Sequence, residues 1–216
     1  MKSREINSLF KNLSKVIKNP KSDLKYKNKF TLLISVVLSA QCTDVNVNSV
    51  TKNIYTKYNK PEHFVKLGKK KIEKLIKSIG LFRNKAKNVY LLSKQLIEKH
   101  NGKVPKTFEE LESLPGVGHK TASVVMSQGF GIPAFPVDTH IHRLAQRWGL
   151  TNGKNVLQTE KDLKRLFPKK FWNKLHLQII YYGREFCTSR KCYGLSCEIC
   201  TTCYPNRKKP VKTKKA

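Results

Sequence analysis

Helical periodicity governs this sequence. Apolar residues recur at three- and four-residue spacings from one end to the other, with no run of alternating β-branched residues bounded by hairpin turns. The expected fold class is all-α. The periodic stretches are roughly Ile6 to Ile17, Phe30 to Ser39, Val45 to Tyr58, Lys69 to Ile79, Asn84 to His100, Thr107 to Leu114, His119 to Phe130, Thr139 to Trp148, Gln158 to Phe167 and Lys169 to Phe186. Glycine and proline separate them, at Asn19-Pro20, Gly80, Gly102, Pro115-Gly116, Gly131, Pro133, Pro136, Gly153 and Pro168. Two prolines in Ile132 to Val137 make that segment the best internal boundary. The basic segment Arg207 to Ala216 carries too little apolar surface to fold and reads as a disordered tail.

A chain of 216 residues can bury one large core or two small ones. Its 44 Lys and Arg against 14 Asp and Glu leave a formal charge of +30. Self-repulsion on that scale calls for a polyanionic partner, and nucleic acid is the obvious one. A lysine-biased composition also loads every solvated face with cations, so charge supports binding without giving an address. Met1 to Lys29 lacks the apolar core of a secretory signal, and Phe30 to Ala40 is about half the length of a membrane span. The expectation is an intracellular chain with no membrane partner. Five of the six cysteines fall between Cys187 and Cys203, a crowding suited to a metal cage in a reducing compartment. Cys42 stands apart and is expected to be a buried small hydrophobe.

The most informative stretch is Leu114-Pro-Gly-Val-Gly-His-Lys-Thr-Ala122. It matches a helix-hairpin-helix pattern. Gly116 and Gly118 permit positive φ angles, and with no Cβ they let the backbone amides around Val117 approach a phosphate oxygen. The following helix directs its positive end at the same oxygen. Pro-Gly-x-Gly alone is only a turn; the apolar frame of Leu114, Val117, Ala122, Val124 and Val125 makes the hairpin specific.

Lys120 follows directly, either as an ordinary phosphate contact or as a nucleophile placed where a flipped nucleotide arrives. An amine with an ordinary pKa of about 10.4 must be brought down toward about 7 to 8 to attack carbon. The helix N-terminus contributes under one unit, leaving desolvation and neighbouring cations to do most of it. Eighteen residues on, Asp138 in Pro136-Val-Asp-Thr-His-Ile-His-Arg143 precedes a new helix. An N-cap is its plain structural role. With Lys120 it also makes the nucleophile and carboxylate that glycosidic-bond cleavage by an amine requires. Direct contact would raise the lysine pKa, so Asp138 is expected to stabilise positive charge developing on the sugar and to shuttle protons.

On these motifs the chain resembles the bacterial endonuclease III family of helix-hairpin-helix DNA glycosylases and apurinic/apyrimidinic lyases. The resemblance runs nearly full length, through Thr31-Leu-Leu-Ile-Ser-Val-Val-Leu-Ser-Ala-Gln41, Ile79-Gly-Leu-Phe-Arg-Asn-Lys-Ala86, the hairpin, Val137-Asp-Thr-His-Ile-His-Arg143 and the cysteines. It implies two all-α lobes: a six-helix barrel lobe over 22–133, and an iron-sulfur lobe built from 1–21 and 134–206. It implies that Lys120 attacks C1′, expels an oxidised pyrimidine and forms a Schiff base whose β-elimination breaks the strand. Gln41 and Leu81 would fill the vacated space, with Asn84 near the opposite strand and His140 and Arg184 also on DNA. Leu81 as core, Gln41 as a helix-end residue and Arg184 as a helix cap are the plainer readings. Adenine-specific relatives generally lack the lysine and oxoguanine-type relatives usually lack the cysteine loop, so having both points to the endonuclease III branch. The expected partner is duplex DNA with damaged or abasic sites, met by a monomer in the cytoplasm at the nucleoid. A lyase for another lesion and a non-catalytic DNA-binding module are the alternatives.

The family's cluster pattern is Cys-x6-Cys-x2-Cys-x5-Cys, holding a [4Fe-4S] cluster. Here Cys187, Cys197 and Cys203 fall on family positions, but the remaining position is Gly194. The favoured set is Cys187, Cys197, Cys200 and Cys203, since Cys192 needs a different loop path. Zn2+ is the competing occupant, because four thiolates suit it too. The loop would present Arg184, Arg190, Lys191 and Arg207 to phosphates.

Overall fold

The computed structural model describes Ser3 to Ala216, with side chains from Ile6 onward. Its described residues form α-helices joined by turns, with no strand. The chain divides into two compact units, Ser22–Ile132 and Met1–Lys21 with Pro133–Ala216. No described helix is long and apolar enough to cross a membrane.

In the first unit, α2 (Lys29–Ser39) is the central element, buried from Phe30 to Leu38. Its start is fixed by a capping box: Asn28 Oδ1 accepts from the Thr31 amide at 2.9 Å, and Thr31 Oγ1 accepts from the Asn28 amide at 2.9 Å. Around it lie α3 (Asp44–Lys57), α4 (Pro61–Leu75), α5 (Phe82–His100), α6 (Phe108–Glu112) and α7 (His119–Val124). Periodicity alone missed the first half of α4. Pro61 opens that helix at a position where its missing N–H costs nothing, and Gly68, at φ +70°, kinks it. The expected helix His119 to Phe130 is α-helical only to Val124 and finishes in one π-helical turn, Val125–Gly129.

In the second unit, α1 (Ser3–Val16) packs against α10 (Trp172–Glu185) and α11 (Glu198–Cys203), so both ends of the chain share one core. Leu9 and Leu13 meet Trp148 and Ile141 of the α8 region (Thr139–Arg147), Leu163 of α9 (Val156–Leu166), and Leu175, Ile179 and Tyr182 of α10. Helix α11 is too short and too polar for periodicity to have found it. The tail expected to be disordered instead packs back on this unit. The Val211 amide donates to the Tyr193 carbonyl at 2.9 Å, and the Lys214 backbone pairs both ways with the Gln146 amide, at 2.7 and 3.1 Å. Backbone pairing and one valine hold a segment whose composition alone has too little apolar surface.

His142 of α8 is fully buried, its Nδ1 2.8 Å from Thr159 Oγ1. Burial pushes its pKa below the ordinary value, against a smaller opposing effect of the Lys215 backbone. His140 is also lowered, chiefly by desolvation. A histidine whose folded pKa lies below its unfolded value takes up its proton more readily in the unfolded chain. Its stabilising contribution is therefore present above about pH 6.5 and is lost as pH falls below it. The urea midpoint should drop between about pH 7 and 5.5, and His142→Asn should flatten part of that slope in denaturation curves taken across the range.

Candidate functional site

The helix-hairpin-helix is built as its residues require. Thr107 caps α6, accepting from the Glu110 amide at 3.2 Å, and Leu111, Leu114, Val117 and Ala122 are buried beneath the turn. The Val117 amide closes the turn on the Leu114 carbonyl at 3.0 Å. Gly116 sits at φ +80°, and a Cβ there would lie 2.8 Å from Asn88 Nδ2, so both conformation and space demand glycine. Gly118 differs from expectation. It is extended, at φ −95°, and caps α7 without a side chain, while the space a Cβ would enter is open. Its part is to leave the first amides of α7 uncovered. Because the Val117 side chain is buried, that residue can meet a ligand only through its backbone.

Lys120 is the second residue of α7 and is exposed. Beside it, His119 Nδ1 lies 2.7 Å from Glu112 Oε1 and its ring stacks on Phe108 at 5.5 Å. Elsewhere in the same unit, Gln41, Leu81 and Asn84 are exposed together with two left-handed backbones, φ +54° at Gln41 and +59° at Leu81. Leu81 is 61% exposed, so the core reading of that leucine is wrong. Neither position is a glycine, and holding such residues in the left-handed region costs on the order of 1 kcal/mol or more. Buried Lys85 fixes the pair: its Nζ donates to the carbonyls of Leu38 at 2.8 Å and Ala40 at 2.6 Å, tying the end of α2 to the start of α5. Asn46 adds a second tie through the Ser78 carbonyl at 3.1 Å. Burial holds the Lys85 amine below the usual lysine range, with Cys42 partly opposing. Sequence reasoning assigned Lys85 no role, although it stands in helical register with Val89, Leu92 and Leu96 on the buried face of α5.

In the second unit, Asp138 is the N-cap of α8, and its Oδ1 accepts from the Ile141 amide at 2.8 Å. This bond engages one of the two carboxylate oxygens. His140 is the second residue of α8, its Nδ1 3.3 Å from Arg143 Nη2. Desolvation dominates its lowered pKa; Asp138 raises it, and Arg143 and Arg184 lower it. Arg184 is exposed on α10, its guanidinium 5.9 Å from the centre of the Tyr181 ring.

The structure gathers Cys187, Cys192, Cys197 and Cys200, all four sulfurs lying within 4.8 Å of one another. Cys192 thus takes the place expected for Cys203, which packs at the edge of this core and is outside the group. The loop path is the reason. Cys192, Tyr193 and Gly194 are all left-handed, at φ +68°, +47° and +86°, and this tight turn brings Cys192 into the group. The Cys197 amide donates to Cys192 Sγ at 3.3 Å. At Gly194 a Cβ would lie 2.8 Å from an Arg207 nitrogen, leaving no place for a ligand there. Arg207 is accordingly held by the loop rather than presented to phosphates: its Nη1 donates to the carbonyls of Arg147 at 2.7 Å and Gly194 at 3.0 Å. Buried Arg147 donates to the Thr188 carbonyl at 2.8 Å and to Cys187 Sγ at 3.1 Å. The thiols do not ionise independently. Hydrogen bonds from Cys187 and Cys200 hold the Cys197 thiol down to about 2, while the Cys197 thiolate pushes Cys187 up to about 12 and helps push Cys200 up. Only a cation among them allows all four to be thiolates at neutral pH.

The two hairpin glycines separate structural from binding roles. Gly116→Ala should lose more than about 1 kcal/mol in urea unfolding. Gly118→Ala should leave stability within about 0.5 kcal/mol yet weaken duplex DNA binding, because its Cβ enters the space the amides face.

Residues 34–169 match the HhH-GPD superfamily base excision DNA repair protein family. Endonuclease III of Bacillus subtilis is 44% identical over 191 residues, covering 88% of this chain and 87% of that protein. Endonuclease III of Rickettsia conorii is 44% identical over 200 residues, covering 93% and 94%. Among solved structures, a trapped endonuclease III–DNA covalent intermediate superposes with a TM-score of 0.88 at 42% identity, covering 92% of this chain and 94% of the other. A non-covalent endonuclease III–DNA complex gives 0.89 at 41% identity, covering 94% and 96%. With the hairpin, the lysine behind it and the capping aspartate all lying within sequence these proteins share, the chain belongs to the endonuclease III family of helix-hairpin-helix base-excision DNA repair proteins.

Proposed function

We propose that the chain is a bifunctional DNA glycosylase and apurinic/apyrimidinic lyase that removes oxidised pyrimidines from duplex DNA, with Lys120 as its nucleophile. The observation that carries this reading is the exposed amine of Lys120 in the first turn of the helix leaving the hairpin. The amides around Gly118 bind a backbone phosphate and bring the strand to that helix. DNA over the lysine then supplies the desolvation that lowers its pKa.

The unprotonated amine attacks C1′ and the glycosidic bond breaks, its electron pair leaving with the base, which takes up a proton. Loss of the amine proton and opening of the sugar give a Schiff base. Removal of a C2′ proton then expels the 3′ phosphate and cuts the strand. Asp138, oriented by its capping bond, stabilises positive charge on the sugar and carries protons. Turning the nucleotide out of the stack costs a few kcal/mol, less at a damaged pair. Leu81 and Gln41 fill the space left behind, and Asn84 meets the opposite strand. His140 and Arg184 face the phosphates, His140 as a neutral donor. The chain acts as a monomer in the compartment that holds the DNA.

The four-thiol group is a structural metal site in this reading. Its donors have the number and softness that a [4Fe-4S] cluster or Zn2+ requires, and no step of the reaction passes through it.

Borohydride treatment of the protein with a thymine glycol duplex should give a covalent complex that Lys120→Ala abolishes. Asp138→Asn should cut its rate of formation by about a hundredfold or more while duplex binding persists. A complex surviving in Lys120→Ala would overturn the assignment. Binding should also weaken steeply with salt, by about 0.9 in log affinity per log salt for each phosphate neutralised.

A further inference from the structure

In the Ser22–Ile132 unit, one cleft lies at the far ends of the helices that carry Gln41 and Lys120. It has a volume of about 630 Å³ and opens between the start of α2, the start of α4, the segment after α5 and Phe130. Lys29 begins α2 and Gln41 follows its other end, so about 16 Å of helix lies between the cleft and that residue. The helix that begins beside Lys120 ends in the π turn Val125–Gly129, which delivers Phe130 to the same cleft. That turn packs closely on α2: a Cβ at Gly129 would lie 3.1 Å from Leu32 Cδ2.

The cleft combines an apolar floor with a cationic rim. Phe30 and Pro61 are buried in the floor, and Val104 and Phe130 are half-buried. Lys29, Lys60, Lys103 and Lys106 are exposed around it, and among the described residues none of them pairs with a carboxylate. Glu62, the one acid lining the cleft, lies against Gly102 instead: that glycine is left-handed at φ +71°, and a Cβ there would lie 2.8 Å from Glu62 Oε1. Unpaired ammonium groups set around one cleft repel each other, and carboxylates brought among them relieve that repulsion. An apolar floor exposed to water favours an apolar side chain over it. The Phe130 ring is already met by two cations, with Lys29 Nζ 4.8 Å and Lys106 Nζ 5.9 Å from its centre. A nucleobase must displace both to stack on that ring, whereas carboxylates pair with them where they stand.

We propose that this cleft docks an acidic peptide segment of a partner protein. A bulky apolar side chain of the segment covers Phe130, Val104 and Pro61, and its flanking carboxylates meet the four lysines. Because the cleft and the residues proposed to meet DNA lie at opposite ends of the same helices, the partner binds while DNA is held. Only that simultaneity rests on the DNA reading; the docking itself does not involve Lys120.

The probe is a short fluorescent peptide of aspartates around one phenylalanine, titrated into the full-length protein at physiological salt and read by anisotropy. Its twin carries serine in place of phenylalanine. The phenylalanine peptide should bind at least about tenfold more tightly than its twin, and Phe130→Ala should remove that difference. Lys29→Glu combined with Lys106→Glu should weaken it at least about tenfold. Lys70→Glu combined with Lys77→Glu, the same charge change at two other exposed positions of the unit, should leave it within about twofold. Saturating duplex DNA should not displace the peptide. Equal binding of the twins, equal loss in the two lysine pairs, or displacement by duplex would overturn the proposal. So would a single-stranded oligothymidylate that binds more tightly than the peptide and loses its affinity with Lys29→Glu and Lys106→Glu. The lysine substitutions are at the surface, so they decide the question whether or not Phe130→Ala folds. Peptide binding is read without DNA, and borohydride trapping reports the lyase separately.

Discussion

The carbonyls at the end of an α-helix have no partner within it, and leaving them buried and unpaired is costly. This chain meets that constraint with its most abundant resource, cationic side chains. Lys85 takes the carbonyls of Leu38 and Ala40 where α2 ends. Arg143 takes those of Gly183 and Cys187 where α10 ends, at 2.9 and 3.1 Å. Arg147 takes the Thr188 carbonyl just beyond. A cation at a helix C-terminus also meets the negative end of the helix dipole. The first of these helix ends leads directly into Gln41, and the second into the loop that carries the cysteines.

The rest of the site follows from holding such loops rigid. Left-handed backbones at Gln41, Leu81, Cys192 and Tyr193 persist only where the surroundings impose them. Around Gln41 and Leu81 the imposing groups are Lys85 and Asn46; around Cys192 they are the Cys197 amide and the packing of Arg207 against Gly194. The positive charge of the chain is thereby divided. A few buried cations organise backbone, and the exposed remainder is left for a polyanion.

How much of this the sequence discloses depends on whether the signal is local. The hairpin is local: its glycines, its apolar frame and Lys120 lie within twelve residues, and only Gly118 had a different backbone from the one expected. Asp138 had two competing readings, and the structure shows the capping one, through a single carboxylate oxygen. Lys85 and Arg147 were missed because 44 basic residues hide two that are buried, although helical register marks Lys85. The cysteine ligand set was not legible from spacing. It depends on three consecutive left-handed residues, two of them not glycine, and no propensity foretells such a turn. The tail failed for a similar reason: composition has no term for backbone pairing with Tyr193 and Gln146.

The central claim is that one amine, that of Lys120, forms the bond to DNA. Proteolytic digestion of the borohydride-reduced complex followed by mass spectrometry of the nucleotide-bearing peptide tests it most directly. The account predicts a deoxyribose remnant on the peptide containing Lys120 and on no other. A remnant on Lys85, or spread over several surface lysines, would contradict it.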